Sequence, residues 1–206
     1  MGSRALRSAD VLATFRADLD RHRRLVLEQW RARADEVLAM RPGPRKWSAV
    51  DCVEHVRRAN AMYLRHMERA IAGAEERKRR PVETFHPGAI GERMRRSLEP
   101  KPAAPAADGR PGIRMRVKTF GGYDPVKDAS PPDPAETLQR FGQQLDRMKA
   151  LAERMERVDL HVRTNTLLGP LLRLRIGDVA RYLVAHADRH FVQAERAMAG
   201  AESARS

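Results

Sequence analysis

"VARYLVAHADRHFVQAERAM", Val179 to Met198, sets apolar residues at three- and four-residue steps and carries His186 and His190 in the same register. Val179, Leu183, His186, His190 and Ala197 fall on one face of a helix, so the two imidazoles continue what reads as a buried seam. The pattern predicts a helix from about Ile176 to Gly200. A helix that ends its apolar face in two histidines needs partner helices and a reason for the imidazoles.

Three further segments supply the partners. From about Asp10 to Met40, Val11, Phe15, Leu19, Val26 and Trp30 recur at helical steps until "RPGP", Arg41 to Pro44, is expected to stop the helix. "WSAVDCVEHVRRANAMYLRHMERAIAG" opens with Ser48 placed to accept the Asp51 amide, and reads as a helix to about Gly73. In "PDPAETLQRF", Asp133 reads as N-cap, Pro134 as the first helical residue and Glu136 as a first-turn acid, with Leu145, Met148, Leu151 and Met155 continuing the seam.

Residues 74–132, between the second and third helices, differ in character. "EPKPAAPAADGRPG", Glu99 to Gly112, reads as a linker, "RMRVKTFGGYDP" as an extended segment ending in a turn, and Ala89 to Leu98 as a short helix. A crossover of this length lets helices two and three lie parallel. The expected class is all-α: a four-helix bundle with one long crossover between helices 2 and 3, in a single domain over residues 1–206.

Composition narrows the setting. Forty Lys and Arg against 27 Asp and Glu give a formal charge of +13, which favours polyanionic partners, yet the basic residues are mostly Arg spread along the whole chain. Only "ERKRR", Glu76 to Arg80, forms a block, and it lacks the interleaved aromatics of a stacking platform for single strands. Solvated helix faces are the plainer reading, and nucleic acid is not the expected partner. The single cysteine, Cys52, excludes an intrachain disulfide and a multi-thiolate zinc site. With no apolar run long enough to span a membrane and a charged N-terminal stretch, a soluble cytoplasmic protein is expected.

Imidazoles at i and i+4 point the same way and can share one metal ion, at about 2.0–2.1 Å for zinc. A third ligand is available in His55, which lies in a seam with Cys52, Val56, Ala59, Met62 and Tyr63. Asp51, one turn earlier, is placed to accept from the far nitrogen of His55, and Gln193, one turn after His190, to orient a bound water or ligand. By spacing alone the H-x3-H pair fits hydrogen-bonded core histidines or a solvated face better than a metal site. His22, His66, His86 and His161 show no matching partner and read as surface or loop residues. Tyr63 and Tyr182 read as packing residues with the hydroxyl at the rim.

"KWSAVDCVEHV", with Trp47, Ser48 and His55, and "LLRLRIGDVARYLVAHADRHFVQAERAM", with His186, Arg189, His190 and Gln193, resemble the two signature regions of the DinB/YfiT-like superfamily of metalloenzymes. The segment "RVKTFGGYDP…PDPAETLQRF" also resembles that family's crossover strand and third helix. The resemblance implies a four-helix bundle holding a divalent metal on His55, His186 and His190. One departure is Arg175, which stands where the fourth helix of the family often has a Ser or Thr cap.

The resemblance further implies metal-dependent chemistry on small molecules. Zinc or nickel is the metal expected first, and a low-molecular-weight thiol such as bacillithiol or mycothiol is the implied co-substrate. On this reading the protein is a thiol S-transferase or related hydrolase acting on electrophilic small molecules, with Arg189 placed to attract carboxylates of the thiol. The alternative is a non-catalytic metal- or ligand-binding stress-response protein. A small-molecule substrate is the partner expected, a homodimer is left open, and no membrane is involved.

Overall fold

The computed structural model describes residues 4–100, 123–127 and 132–204. The chain is mostly helical, as its periodicities require, and two of its long helices begin at side chains that satisfy exposed backbone amides. Helix α1, Ser8–Arg23, continues through a π-helical segment, Arg24–Trp30. Helix α3, Ala49–Glu76, starts in a capping box: Ser48 Oγ accepts the Asp51 amide at 3.1 Å, and the Asp51 carboxylate accepts the Ser48 amide at 2.9 Å. Helix α5, Pro134–Met155, starts on Asp133, whose carboxylate accepts the Glu136 amide at 2.7 Å.

Helix α6, Ile176–Ser203, begins differently. Arg175 makes no side-chain cap. Instead the Ile176 amide donates to the Val162 carbonyl at 2.8 Å and the Gly177 amide to the Leu160 carbonyl at 3.2 Å. The preceding loop therefore does what a Ser or Thr would do.

The four long helices pack in a ring: α3 lies against α5 and α6, and α1 lies against the same two. Phe191 of α6 sits near the middle, edge-on to Trp30 at 5.2 Å and to Phe141 of α5 at 5.8 Å. Buried side chains of this size each stabilise the fold by about 1.5–3 kcal/mol relative to exposure. Outside the core, Arg147 meets Glu68 at 2.7 Å, Arg154 meets Glu75 at 2.6 Å and Lys149 meets Asp20 at 2.6 Å. Such pairs contribute little individually. They do tie part of the basic excess to acids within the fold.

The structure departs from a plain four-helix pattern in three places. The first helix does not run straight to Met40: it ends at Trp30, and a separate short helix α2, Asp35–Ala39, follows. The bend turns Val37 and Leu38 inward, where α2 meets α3, α5 and α6. Nothing in "RARA", residues 31–34, breaks a helix by itself, so packing decides the break.

The connection from α5 to α6 is also more than a turn. Strands β3, Arg163–Thr166, and β4, Gly169–Arg175, pair antiparallel, with Thr164 opposite Leu174 and an irregularity between Asn165 and Thr166. Gly169 takes φ +59° at the tip, a conformation glycine adopts without steric cost.

In the crossover, helix α4, Ala89–Leu98, forms at its expected bounds. Before it, strand β2, Thr84–Phe85, pairs with β1, Leu6–Arg7. A 3-10 turn at Pro125–Lys127 follows Tyr123 and Asp124. The rest of the expected linker and extended segment, residues 101–122, lies outside the described residues.

Candidate metal centre

The phase of α3 is set at its first turn. The Asp51 carboxylate accepts from Arg41 at 2.7 and 2.8 Å and from the Ser48 hydroxyl at 2.9 Å, in addition to the Ser48 amide. Burial raises its pKa, but the Arg41 and Ser48 bonds more than offset this and hold it below the usual value. One turn on, His55 faces α6. His186 and His190, one turn apart on α6, face back.

The three imidazoles converge. Their nearest nitrogens all lie within 4.8 Å of one another, and His55 Nε2 stands 3.2 Å from His186 Nε2. Ring centroids are 4.5 Å apart for His55 and His190, and 4.7 Å for His186 and His190. All three residues are buried, at 6–8% exposure.

Protonation follows from burial. Burial, and then the neighbouring His55 and Arg189, push His186 down to about 3. Burial, then the other two histidines and Arg189, hold His190 well below its ordinary value. His55 is lowered by burial, with the Tyr123 carbonyl and Asp124 opposing. The centre is therefore a cluster of neutral imidazoles at physiological pH.

This cluster fits a cation. His55 Nδ1 lies 2.6 Å from the Tyr123 carbonyl, which can only accept, so Nδ1 carries the proton and Nε2 presents its lone pair to the other rings. His186 Nδ1 and His190 Nδ1 are buried without a hydrogen-bond partner. Buried polar nitrogens are normally bonded, and neutral imidazoles that share one small volume are what a divalent ion of borderline softness selects.

The surroundings differ in part from expectation. Asp51 is engaged by Arg41 and Ser48, and the Tyr123 carbonyl takes the place expected for it beside His55. The reason is the capping box, which turns the carboxylate back toward the start of the helix. The Gln193 side chain weakly opposes the lowering of the His190 pKa by burial. Arg189 is buried on α6 and adds a positive charge beside both histidines of that helix.

Tyr182 stacks on His186 with an interplanar angle of 13° and a centroid distance of 5.9 Å. Tyr63 is buried, with its ring 5.5 Å from that of Tyr182. His22 is not a surface residue: it is buried, 2.8 Å from Asp188 Oδ1 and edge-on to Phe191 at 4.9 Å. His161 also has partners, Asp159 at 2.7 Å and the His86 amide at 2.9 Å.

Sequence reasoning missed Tyr123, Asp124 and Arg41, and gave Trp47 no task beyond the motif. The Trp47 indole packs on His55 at 4.7 Å and on His190 at 5.4 Å. "YDP" signals a turn, but nothing in it signals contact with a helix many residues away. A separate cavity of about 590 Å³ lies between the N-terminal residues, α4 and α6, and none of the three histidines lines it.

Comparison with known families gives a match to the model described as the DinB superfamily over residues 18–194, a span that takes in Trp47 and all three histidines. No curated protein and no solved structure gives a significant match.

Proposed function

The chain belongs to the DinB superfamily, and from that membership and the histidine centre we propose that it binds one divalent metal ion, zinc or nickel first, and uses it on small electrophilic molecules. A metal ion held by His55, His186 and His190 supplies a Lewis-acid centre that makes a low-molecular-weight thiol or a water more acidic and nucleophilic. The single observation that carries the reading is the convergence of three neutral, buried imidazoles from two helices, two of them with an unbonded nitrogen.

The chain's own residues have distinct tasks. His55, with its Nδ1 proton on the Tyr123 carbonyl, offers Nε2. Gln193, one turn after His190, is placed to orient a bound water or ligand. Arg189 adds positive charge at the centre, which favours an anionic thiol. Three neutral ligands leave the charge of a divalent ion uncompensated and leave coordination positions open, the pattern of a reactive site rather than a closed structural one. Cys52 does not supply the thiol, because it is fully buried and burial raises its pKa well above the ordinary value. A thiol of the bacillithiol or mycothiol kind would come from solution.

The low exposure of the three histidines is the observation that favours the second reading, a metal- or ligand-binding protein without turnover. Elemental analysis of protein purified without chelator tests the first step. About one divalent metal per chain is expected in wild type and a clear loss in His190→Ala, whereas equal content in both would overturn the site. A screen of thiols against electrophiles on metal-loaded protein then separates enzyme from binder.

A further inference from the structure

Two consecutive residues of the crossover reach the histidine centre by different routes. Tyr123 accepts the His55 Nδ1 proton through its carbonyl at 2.6 Å. Asp124 accepts the Trp47 indole N–H at 3.0 Å. Trp47 in turn lays its ring against two of the three imidazoles, at 4.7 Å from His55 and 5.4 Å from His190, with interplanar angles of 40° and 33°. Among the described residues, no other side chain outside the three histidines has a ring contact with a histidine on each of the two helices.

We propose that Asp124 and Trp47 act as one positioning unit, in which the Asp124 carboxylate fixes the indole and the indole fixes the planes of His55 and His190. This rests on the metal-binding reading above. An indole has two side-chain torsions, and its single N–H decides which end of the ring faces the imidazoles. With the N–H held, the ring lies as a plate that prevents either imidazole from turning about its own axis. Without that bond the indole can swing, and the two ligand nitrogens no longer share a fixed direction.

The carboxylate is itself held, since the Val126 amide donates to the same Asp124 oxygen at 3.3 Å. Partners that orient ligands in this way typically alter metal affinity by about tenfold to a hundredfold when removed.

The test uses the full chain and two probes, Zn²⁺ in competition with a chromogenic chelator and the visible spectrum of the Co²⁺-loaded protein. Wild type, Asp124→Ala, Asp124→Asn, Trp47→Phe and the double variant Trp47→Phe/Asp124→Ala are compared, with helicity checked by circular dichroism. Asp124→Ala and Trp47→Phe are each expected to weaken Zn²⁺ binding by about tenfold to a hundredfold and to shift the Co²⁺ spectrum. The double variant should be no weaker than the worse single one, and Asp124→Asn, which keeps an acceptor, should recover part of the loss. Singles within twofold of wild type, or losses that multiply in the double variant, would overturn the proposal while leaving the metal site standing. Wild-type protein that takes up neither ion would overturn the metal reading itself and this inference with it. If Trp47→Phe loses helicity, the Asp124 pair decides alone.

Discussion

The Phe85 ring lies where a side chain at Gly177 would have to go: a β-carbon built on Gly177 would stand 2.7 Å from the ring. Phe85 is fully buried, so it cannot swing out of the way without opening the β1–β2 pair. Gly177→Ala is therefore expected to destabilise the protein by about 1–3 kcal/mol through overpacking. Thermal melts followed by circular dichroism would read this as a drop of about 2–4 °C per kcal/mol. An unchanged melting temperature would mean that β2 yields freely.

Acid should loosen α4 from α6. The Glu92 carboxylate takes bonds from Arg95 at 2.8 Å and Arg96 at 2.7 Å and pairs with Arg181 of α6 at 2.8 Å, and with the Arg95 bond leading it is pulled down to about 2. A carboxyl that is less basic in the folded state contributes stability that is complete above its ordinary value near 4.5. That contribution fades as pH falls from there toward 2. Glu92→Gln should cost about 1–2 kcal/mol at neutral pH and flatten the loss of stability across that window. Parallel pH–stability curves for the two proteins would refute this.

The metal-free centre should respond to acid as well. His186 is lowered to about 3 by burial, whereas an unfolded histidine titrates near 6.5. The unfolded chain then binds more protons below pH 6.5, so the chelated protein should lose stability as pH falls from that point. His186→Leu removes the titrating group and should reduce this slope, an outcome readable from melting temperatures between about pH 7 and pH 5. A slope as steep in the variant as in wild type would place the titration elsewhere.

His22 and the three clustered histidines should separate cleanly. His22→Ala removes a buried ring that touches Phe191 and Asp188, and should cost about 1–3 kcal/mol while metal content stays at the wild-type level. His55→Ala and His190→Ala should do the reverse, losing metal while the melting temperature of the chelated protein barely changes. Both sets can be measured on the same samples by elemental analysis and thermal melts. Metal loss in His22→Ala would show that the centre depends on the wider packing of α1 and α6.

The parts of this fold that sequence reveals are those in which a local pattern has one solution. Ser48 with Asp51, and Asp133 with Pro134 and Glu136, are short-range contacts along a helix, and both start where the spacing says. His186 and His190 share a face for the same reason. The meeting of His55 with them depends on how α3 packs against α6: its seam made it a candidate, and the family resemblance pointed to the grouping. The Tyr123 carbonyl and Asp124 were illegible because a backbone carbonyl has no residue identity and a turn residue carries no periodicity. His22 was misread since helical phase alone does not tell a face that touches a neighbour from one that touches water. The β3–β4 pair hid in "LLGPLLRLR", where the alternation from Leu172 to Arg175 is only four residues long, too short to mark a strand by itself.

His55 and His186 meet across 131 residues of chain. A pair so distant costs much loop-closure entropy to bring together, and the long helices must already be docked before the nitrogens can face one another. Capture of an ion there would therefore be a late event in the life of the polypeptide. A chain emerging from the ribosome holds His55 long before His186 exists, and has no means of retaining an ion on one imidazole against cellular chelators. Metal occupancy would thus be settled after synthesis, by the pool of free ions the finished protein meets.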